Sequence, residues 1–324
     1  MRLFEDTHID FVKWRWHAIA LSLVVIIAGG FAIARGMLPL GVDFSGGTIV
    51  VVKFDQHVPI DRVRGAVSAM PDGVGNDAVV QEFGESSQNQ VLVRVARTGE
   101  ESGGNLSQTA DALVGSLKQA NLGNFEVIQT DIVGPVVGDQ LRRQGMLATV
   151  FAMGGILLYI AFRFQLSFAV GAIAATVHDL LVTLAFLAFF NYDMTLNVIA
   201  GLLTITGYSV NDTIVIFDRV RENMRNMRRD SLTQIVNVAV NQTLSRTVIT
   251  AGTTLLSVIA LYLFGGEVLE GFAFTMMIGI ISGTYSTIFI AAAIAIMLQG
   301  RKPIKGQAAT PDTPERRPSR RRAS

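Results

Sequence analysis

Cysteine is absent from the 324 residues, which excludes a disulfide framework, thiol chemistry and any Cys-ligated metal. Histidine is almost as scarce: His8, His17, His57 and His178 are scattered, without the spacing of a His-based metal site. Charged residues make up only 16% of the chain, against about 25% in an ordinary soluble domain. The deficit sits in long apolar runs. With 50% hydrophobic residues and a mean hydropathy of +0.43, a single soluble enzyme core is excluded. The net charge of +1 conceals a strong segregation by sign along the chain.

Six of the apolar runs are long enough to cross a hydrocarbon layer of about 30 Å, which takes roughly 20 helical residues. They are His17–Ala34, Gln144–Phe162, Leu166–Phe190, Leu196–Phe217, Thr247–Phe264 and Gly271–Leu298. Backbone amides cannot stay unpaired in lipid, so each run is expected to be a helix. Ala32-Ile33-Ala34 mimics a signal-peptide cleavage site, but the apolar stretch is too long for one, and an uncleaved anchor is expected. Lys and Arg in the short loops set the orientation. With Lys13 and Arg15 inside, Arg163, the Asp218–Arg246 loop and the C-terminal tail are inside too. The outer loops Asn191–Met194 and Gly265–Glu270 hold no Lys or Arg. Arg142 and Arg143 on the outer side are the one misfit, and charges flanking a long translocated domain count for less. Trp14 and Trp16 read as interfacial anchors.

The expected layout is a cytoplasmic N-terminus at 1–16, a first membrane helix at 17–38, an extracytoplasmic α+β domain at 39–143, five further membrane helices within 144–298, and a basic cytoplasmic tail at 299–324. Gly41 to Gln140 carries 13 acidic and 6 basic side chains. Thr48–Phe54 reads as a strand, and Ile60–Met70 as a helix with Val63, Ala66, Val67 and Met70 on one face. Ala78–Phe83 and the alternating Val91, Val93 and Val95 read as two strands joined through Gly84–Asn89. A helix bearing Ala110, Leu113, Val114 and Leu117 follows, and Phe125–Thr130 closes as a strand. The order β-α-β-β-α-β is that of the ferredoxin-like fold. The tail holds four of the eight prolines, a basic cluster and almost no apolar content, so disorder is expected. A solvated tail that enforces orientation is the plain reading of it, and attraction to anionic lipid or RNA the sharper one.

Ionisable groups inside a span are costly and therefore candidates for function. His178 and Asp179 lie midway along the third span, with Thr176 and Thr183 at helical spacing. Asp212 lies in the fourth span; Tyr208 and Ser209, four and three residues earlier, share its face, and Asn211 and Thr213 adjoin it. Arg246 opens the fifth span at its inner end, and Asp212 precedes the inner end of its own span by roughly 9 Å of helix rise. An Asp212–Arg246 pair at that depth is physically reasonable. A carboxyl in low dielectric favours its neutral form and an approaching Arg favours the anion. Making and breaking the pair would bind and release a proton worth about 2.3 kcal/mol per 100 mV. A static cluster of Asp212, Arg246, Asn211 and Ser209 that locks helices together is the alternative these residues leave open. Gly279-Ile280-Ile281-Ser282-Gly283 is a small-xxx-small pattern with packing meaning only.

Several motifs together resemble the bacterial SecD/SecF family. Asp43-Phe44-Ser45-Gly46-Gly47 is similar to its DFxGG signature, Gly134-Pro135-Val136-Val137-Gly138 to its GPxxG element, and His178-Asp179 to its third-span HD pair. Gly207–Thr213, continuing to Asp218–Asn223, and Ser245-Arg246-Thr247 with Gly252-Thr253-Thr254 complete the set, so the resemblance spans Asp43 to Leu298. The Asn-Asp-Thr form in the fourth span and the single short outer domain resemble the SecF branch. The tail after Gly300 is outside the family pattern.

The resemblance implies a subunit of the Sec protein-export machinery with a resistance-nodulation-division type of transporter fold, in the bacterial inner membrane with both termini cytoplasmic. It implies pairing with SecD, beside the SecYEG translocon and further accessory subunits. Translocating polypeptide and membrane lipid are the other expected contacts, with no specific nucleic acid. It implies proton-driven work with Asp212 and Arg246 in the proton pathway and His178 and Asp179 in a less defined part. No enzyme activity, metal or cofactor is expected, protons being the coupling ion. A scaffold for SecD and the channel, or half of another proton-driven transporter, is the alternative. An intramembrane aspartyl protease would also set two aspartates on separate spans, but the GxGD motif of those enzymes is missing at Val210-Asn211-Asp212.

Overall fold

The computed structural model of the chain describes residues 7–70, 75, 78–84, 88–95 and 104–299. The basic segment 300–324, read as a disordered tail, lies outside the described residues, as do 85–87 in the link between two expected strands.

Six segments are helical, long and apolar enough to cross a membrane: Val12–Ala34, Val137–Arg163, Leu166–Phe189, Leu196–Asn226, Leu232–Phe264 and Val268–Leu298. The first is a 3-10 turn at Val12–Trp14 leading into α1 (Arg15–Ala34). A short helix α2 (Val42–Ser45) follows, then β1 (Gly47–Phe54), α3 (Ile60–Ser68), β2 (Val79–Phe83), β3 (Gln90–Val95), α4 (Gly104–Gln119) and β4 (Phe125–Val133). The remaining membrane segments are α5 (Pro135–Arg163), α6 (Leu166–Phe189), α7 (Leu196–Asn226), α8 (Leu232–Phe264) and a last one in three pieces: α9 (Glu267–Ser286), a π-helical turn (Thr287–Ala291) and α10 (Ala292–Gln299).

Burial divides the membrane helices into two sets. α6, α7 and the α9–α10 segment are inner helices, whereas α1, α5 and α8 present most of their surface outward. The outward side chains are those a hydrocarbon solvent accepts: Leu21, Val24 and Ile27 on α1, Val150, Phe151 and Phe162 on α5, Leu256 and Leu263 on α8. Trp14 and Trp16 are exposed near the start of α1, as interfacial anchors are.

Helices α7 and α8 overrun the apolar runs. The stretch expected as an inner loop, Asp218–Arg246, is instead two helical arms joined by a turn at Met227–Ser231. Ser231 and Gln234 form a reciprocal capping box at the start of α8 (Gln234 N to Ser231 Oγ 3.3 Å, Ser231 N to Gln234 Oε1 3.1 Å). The charges that end the hydropathy signal bond among themselves: Arg219 to Glu222 at 2.6 Å, Arg163 to Asp218 at 3.3 Å. Gln242 Oε1 accepts from both Arg219 Nε and Asn223 Nδ2. Between the arms Ile235, Val236, Ala239 and Val240 meet Ile216, Phe217 and Val220 in a shared core. The N-terminal segment lies on this hairpin, with Ile9 N and Phe11 N donating to Asn241 Oδ1 and Asn237 Oδ1, each at 3.0 Å.

The α+β unit is one antiparallel sheet in the order β2-β3-β1-β4. One sheet face, with Val50, Val52, Phe54, Val80, Val91, Val93 and Val95, packs on α3 and α4. Val63, Ala66, Val67 and Met70, together with Ala110, Leu113 and Leu117, supply the helical side of that core, as their spacing predicts. The other face looks toward the end of the bundle at the α6–α7 connection, across a cleft of about 580 Å³ bordered by Ile49, Leu92, Phe83, Tyr192, Glu270 and Asp43.

Candidate functional site

The glycines of the small-xxx-small pattern bring α9 against α7 at the level of the polar residues. A Cβ on Gly279 would overlap Ile205, and one on Gly283 would press on Ser209 Cβ at 3.2 Å. Backbones this close let short hydroxyls reach across the interface.

Asp179, 1% exposed, is the centre of what they reach. Its Oδ2 accepts from Ser209 Oγ of α7 at 2.6 Å and from Ser286 Oγ of α9 at 2.7 Å; its Oδ1 accepts from Ser282 Oγ at 2.7 Å and lies 3.0 Å from His178 Nδ1. Four polar groups thus converge on two carboxylate oxygens, an arrangement complementary to an anion. The two threonines at helical spacing from it do not bond to its carboxylate. Thr176 and Thr183 turn their hydroxyls onto backbone carbonyls of α6, at Ala172 O and Asp179 O. Ser282 and Ser286 were not among the predicted site residues. Their signal is i, i+4 spacing in an otherwise apolar span, one position before Gly283 and Thr287.

His178 is buried, stacks on Tyr285 (centroids 6.1 Å apart) and leaves its Nε2 without a partner. Tyr285 donates to Ala18 O at 2.6 Å and accepts from Ser22 Oγ at 3.2 Å, so α1 is tied to the same layer.

Asp212 stands apart from this network. It is 4% exposed, and its Oδ2 has no hydrogen-bond partner. No salt bridge joins Asp212 to Arg246, an exposed residue of α8, but the guanidinium lies within electrostatic reach of the carboxyl. Ser209, expected beside Asp212, gives its hydroxyl to Asp179 instead. Thr247 Oγ1 is also buried without a partner, and the buried Tyr208 OH faces the hydroxyls of Thr250 and Thr254 on α8. Asn211 faces outward, and Thr213 Oγ1 bonds to Ser209 O and meets Thr287 Oγ1 at 3.0 Å.

The two glycine motifs meet near the start of α7. Gly46 and Gly47 have φ of 69° and 131°, a region closed to ordinary side chains, and they turn the chain from α2 into β1. Gly134 caps α5, and Pro135 takes its first helical position. A Cβ on Gly138 would sit 3.2 Å from Phe44 O and Gly46 N, so this glycine lets α5 lie against the first motif. Asp43 Oδ2 accepts from Leu196 N at 2.9 Å, at the start of α7. Nearby, burial and then hydrogen bonding to Glu270 push the Tyr192 hydroxyl pKa up.

Residues 113–301 match the family described as "Protein export membrane protein SecD/SecF, C-terminal", and residues 38–58 match the "SecD/SecF GG Motif". Relatives named "Protein translocase subunit SecF" include that of Pseudomonas aeruginosa, 42% identical over 90% of this chain and 91% of its own length. That of Vibrio alginolyticus is 40% identical over 91% of each. The chain belongs to the SecF family. With six apolar helices and this membership, it is an integral membrane protein. A SecF relative in Koribacter versatilis is 35% identical over 99% of both chains. Among solved structures, SecDF of Thermus thermophilus, titled a translocon-associated membrane protein, superposes on 91% of the chain with a TM-score of 0.78 and 32% identity. A SecDF structure in a super-membrane-facing form gives 0.66 over 92%. The chain spans about two fifths of the length of these solved chains (39% and 40%).

Proposed function

We propose that the chain is the SecF subunit of a bacterial Sec protein-export machinery and draws on the proton gradient to promote passage of secreted polypeptide. It lies in the inner membrane with both termini cytoplasmic, pairs with SecD and works beside the SecYEG translocon. SecF relatives matched over nearly their full length support the export role. The solved SecDF chains, of which this chain covers about two fifths, support a partner half. So does the outward placement of Asn211 and Arg246, since polar groups this deep are covered by another protein surface or by water rather than by lipid. The Lys and Arg distribution supports the orientation. We read the outer unit as extracytoplasmic and ferredoxin-like, on its β-α-β-β-α-β element order and the strand order β2-β3-β1-β4.

The observation that carries the proton reading is Asp212: a buried carboxyl with an unpartnered oxygen, within electrostatic reach of Tyr208 on its own helix and of Arg246 on α8. In a low-dielectric interior a lone carboxyl costs least as the neutral acid, and a guanidinium brought against it displaces the proton. Alternation of Arg246 between its outward position and a paired one would load and unload Asp212, each proton worth about 2.3 kcal/mol per 100 mV. His178 and Asp179 set the neighbouring helices and extend the polar path. The mechanism uses no catalytic group, metal or prosthetic cofactor.

The test is Asp212→Asn in inverted membrane vesicles. The complex should assemble, and the gradient-dependent part of translocation should be lost while the ATP-driven part continues. Unchanged gradient-dependent translocation removes the relay. The reading left then is a scaffold for SecD and the channel, which the bonded layer around Asp179 favours.

A further inference from the structure

The outer unit is joined covalently to α1 and α5, yet the polar layer is carried by α6, α7 and α9. A second, non-covalent attachment reaches the connection between α6 and α7. Gly41 N donates to Met194 O and Met194 N donates to Pro39 O, both at 2.8 Å. Asp43 Oδ2 accepts from Leu196 N at 2.9 Å. Arg94, on β3, forms an ion pair with Asp193 and points a second nitrogen at Leu40 O, 3.5 Å away. A Cβ on residue 41 would lie 2.9 Å from Met194 O, so the strands of chain are in direct backbone contact.

The ion pair is unusual for its place. Arg94 is 8% exposed, and burial pushes its pKa down, so holding the guanidinium there costs free energy that the Asp193 carboxylate and the Leu40 carbonyl offset in part, with Nε left without a partner. An apolar side chain would fill the same position on the sheet more cheaply. What the pair adds is a fixed register between β3 and residue 193. From that point α6 runs unbroken to Asp179, about 15 Å of helix, and α7 runs unbroken to Ser209, about 20 Å. Next to the attachment the sheet and bundle are separated by the cleft, so the contact is narrow.

We propose that Arg94, Asp193 and Asp43 are positioning residues of a joint that locks the sheet to the α6–α7 connection, so that displacement of these helices at the polar layer is carried to the outer unit. The joint rests on the proton reading proposed above and adds to it that α6 and α7, the helices of Asp179 and Asp212, are displaced when Asp212 is loaded and unloaded. Its mechanical part is measurable without any translocation assay.

Because the chain has no cysteine, a spin-label pair at the exposed positions Lys53 and Val268 reports the spacing between sheet and bundle in the full chain assembled with its partners in vesicles. Wild type should give one narrow distance distribution. Arg94→Ala should broaden it, and the exchange Arg94→Asp with Asp193→Arg should narrow it again. Where Arg94→Ala does not accumulate, Asp193→Asn at a quarter-exposed side chain reads the same quantity. In parallel, Arg94→Ala should lose gradient-dependent translocation and the exchange should recover it. An unchanged distribution in Arg94→Ala or Asp193→Asn overturns the joint, whatever translocation does. A broadened distribution with translocation intact overturns its role in coupling. Failure of Asp212→Asn to affect export would sink the proton reading while leaving the width measurement to stand.

Discussion

Replacing Ser209, Ser282 and Ser286 by alanine, one at a time, asks what charge their hydroxyls face. Each donates to Asp179 at 2.6 to 2.7 Å, inside a layer from which Asp179 is only 1% exposed. A hydrogen bond to a charged group contributes about 1.5–3 kcal/mol, whereas interhelical hydrogen bonds between neutral groups in membranes average about 0.6 kcal/mol. If the serines support a carboxylate anion, each alanine should cost about 2 kcal/mol in wild type and about 0.6 kcal/mol in an Asp179→Asn background. The coupling energy is then roughly 1–2 kcal/mol per serine. The assay is a double-mutant cycle on reversible unfolding of the purified chain in a fixed detergent or bicelle. Coupling within about 0.5 kcal/mol of zero for all three serines, the ordinary scatter of independent sites, would refute an anion held by hydroxyls. The layer would then be a set of ordinary helix contacts.

Gly279→Ala should destabilise the chain by about 1–3 kcal/mol, because its Cβ would overlap Ile205 on α7. Thermal unfolding with and without Ile205→Val checks this, with part of the loss expected to disappear in the pair. Asn241→Ala removes two hydrogen bonds to Ile9, its N–H donating at 3.0 Å and its carbonyl accepting at 2.9 Å. Hydrogen exchange of the N-terminal peptide should accelerate roughly fivefold per net kcal/mol lost; unchanged exchange would mean that the segment is held by the Phe11–Asn237 bond and the packing of Val12 and Phe11.

The six membrane segments were legible because lipid-facing helices must be apolar over their length, and the α3 and α4 faces because their spacing repeats with the helix. The inner arms of α7 and α8 were not. Ile235, Val236, Ala239 and Val240 carry a helical period, but Asp218, Arg219 and Glu222 end the hydropathy signal before the helix ends. At the polar layer the residue types were visible and their partners were not. A hydroxyl in a helix has its own backbone carbonyl within reach, as Thr176 and Thr183 show, and only the packing of the helices decides that Ser282 and Ser286 reach Asp179 on α6, Ser286 keeping a bond to Gly283 O as well. For Asp212 and Arg246, depth along two helices was legible and brings the guanidinium within electrostatic reach of the carboxyl, but spacing alone does not tell whether the two side chains touch, and no salt bridge joins them.

The π-helical turn at Thr287–Ala291 holds one more residue per hydrogen-bonded loop than an ordinary helix does. Deleting a single residue there would rotate everything beyond it by about 100°. Ser286, just before the turn, faces Asp179, and Ala291, its last residue, sits where a Cβ on Gly171 would lie 2.7 Å from its carbonyl oxygen. With a regular helix the last segment could keep its serines toward α6 or its alanines toward α6, but not both. The spare residue works like a swivel, letting one continuous rod present two differently aimed faces to the same neighbour.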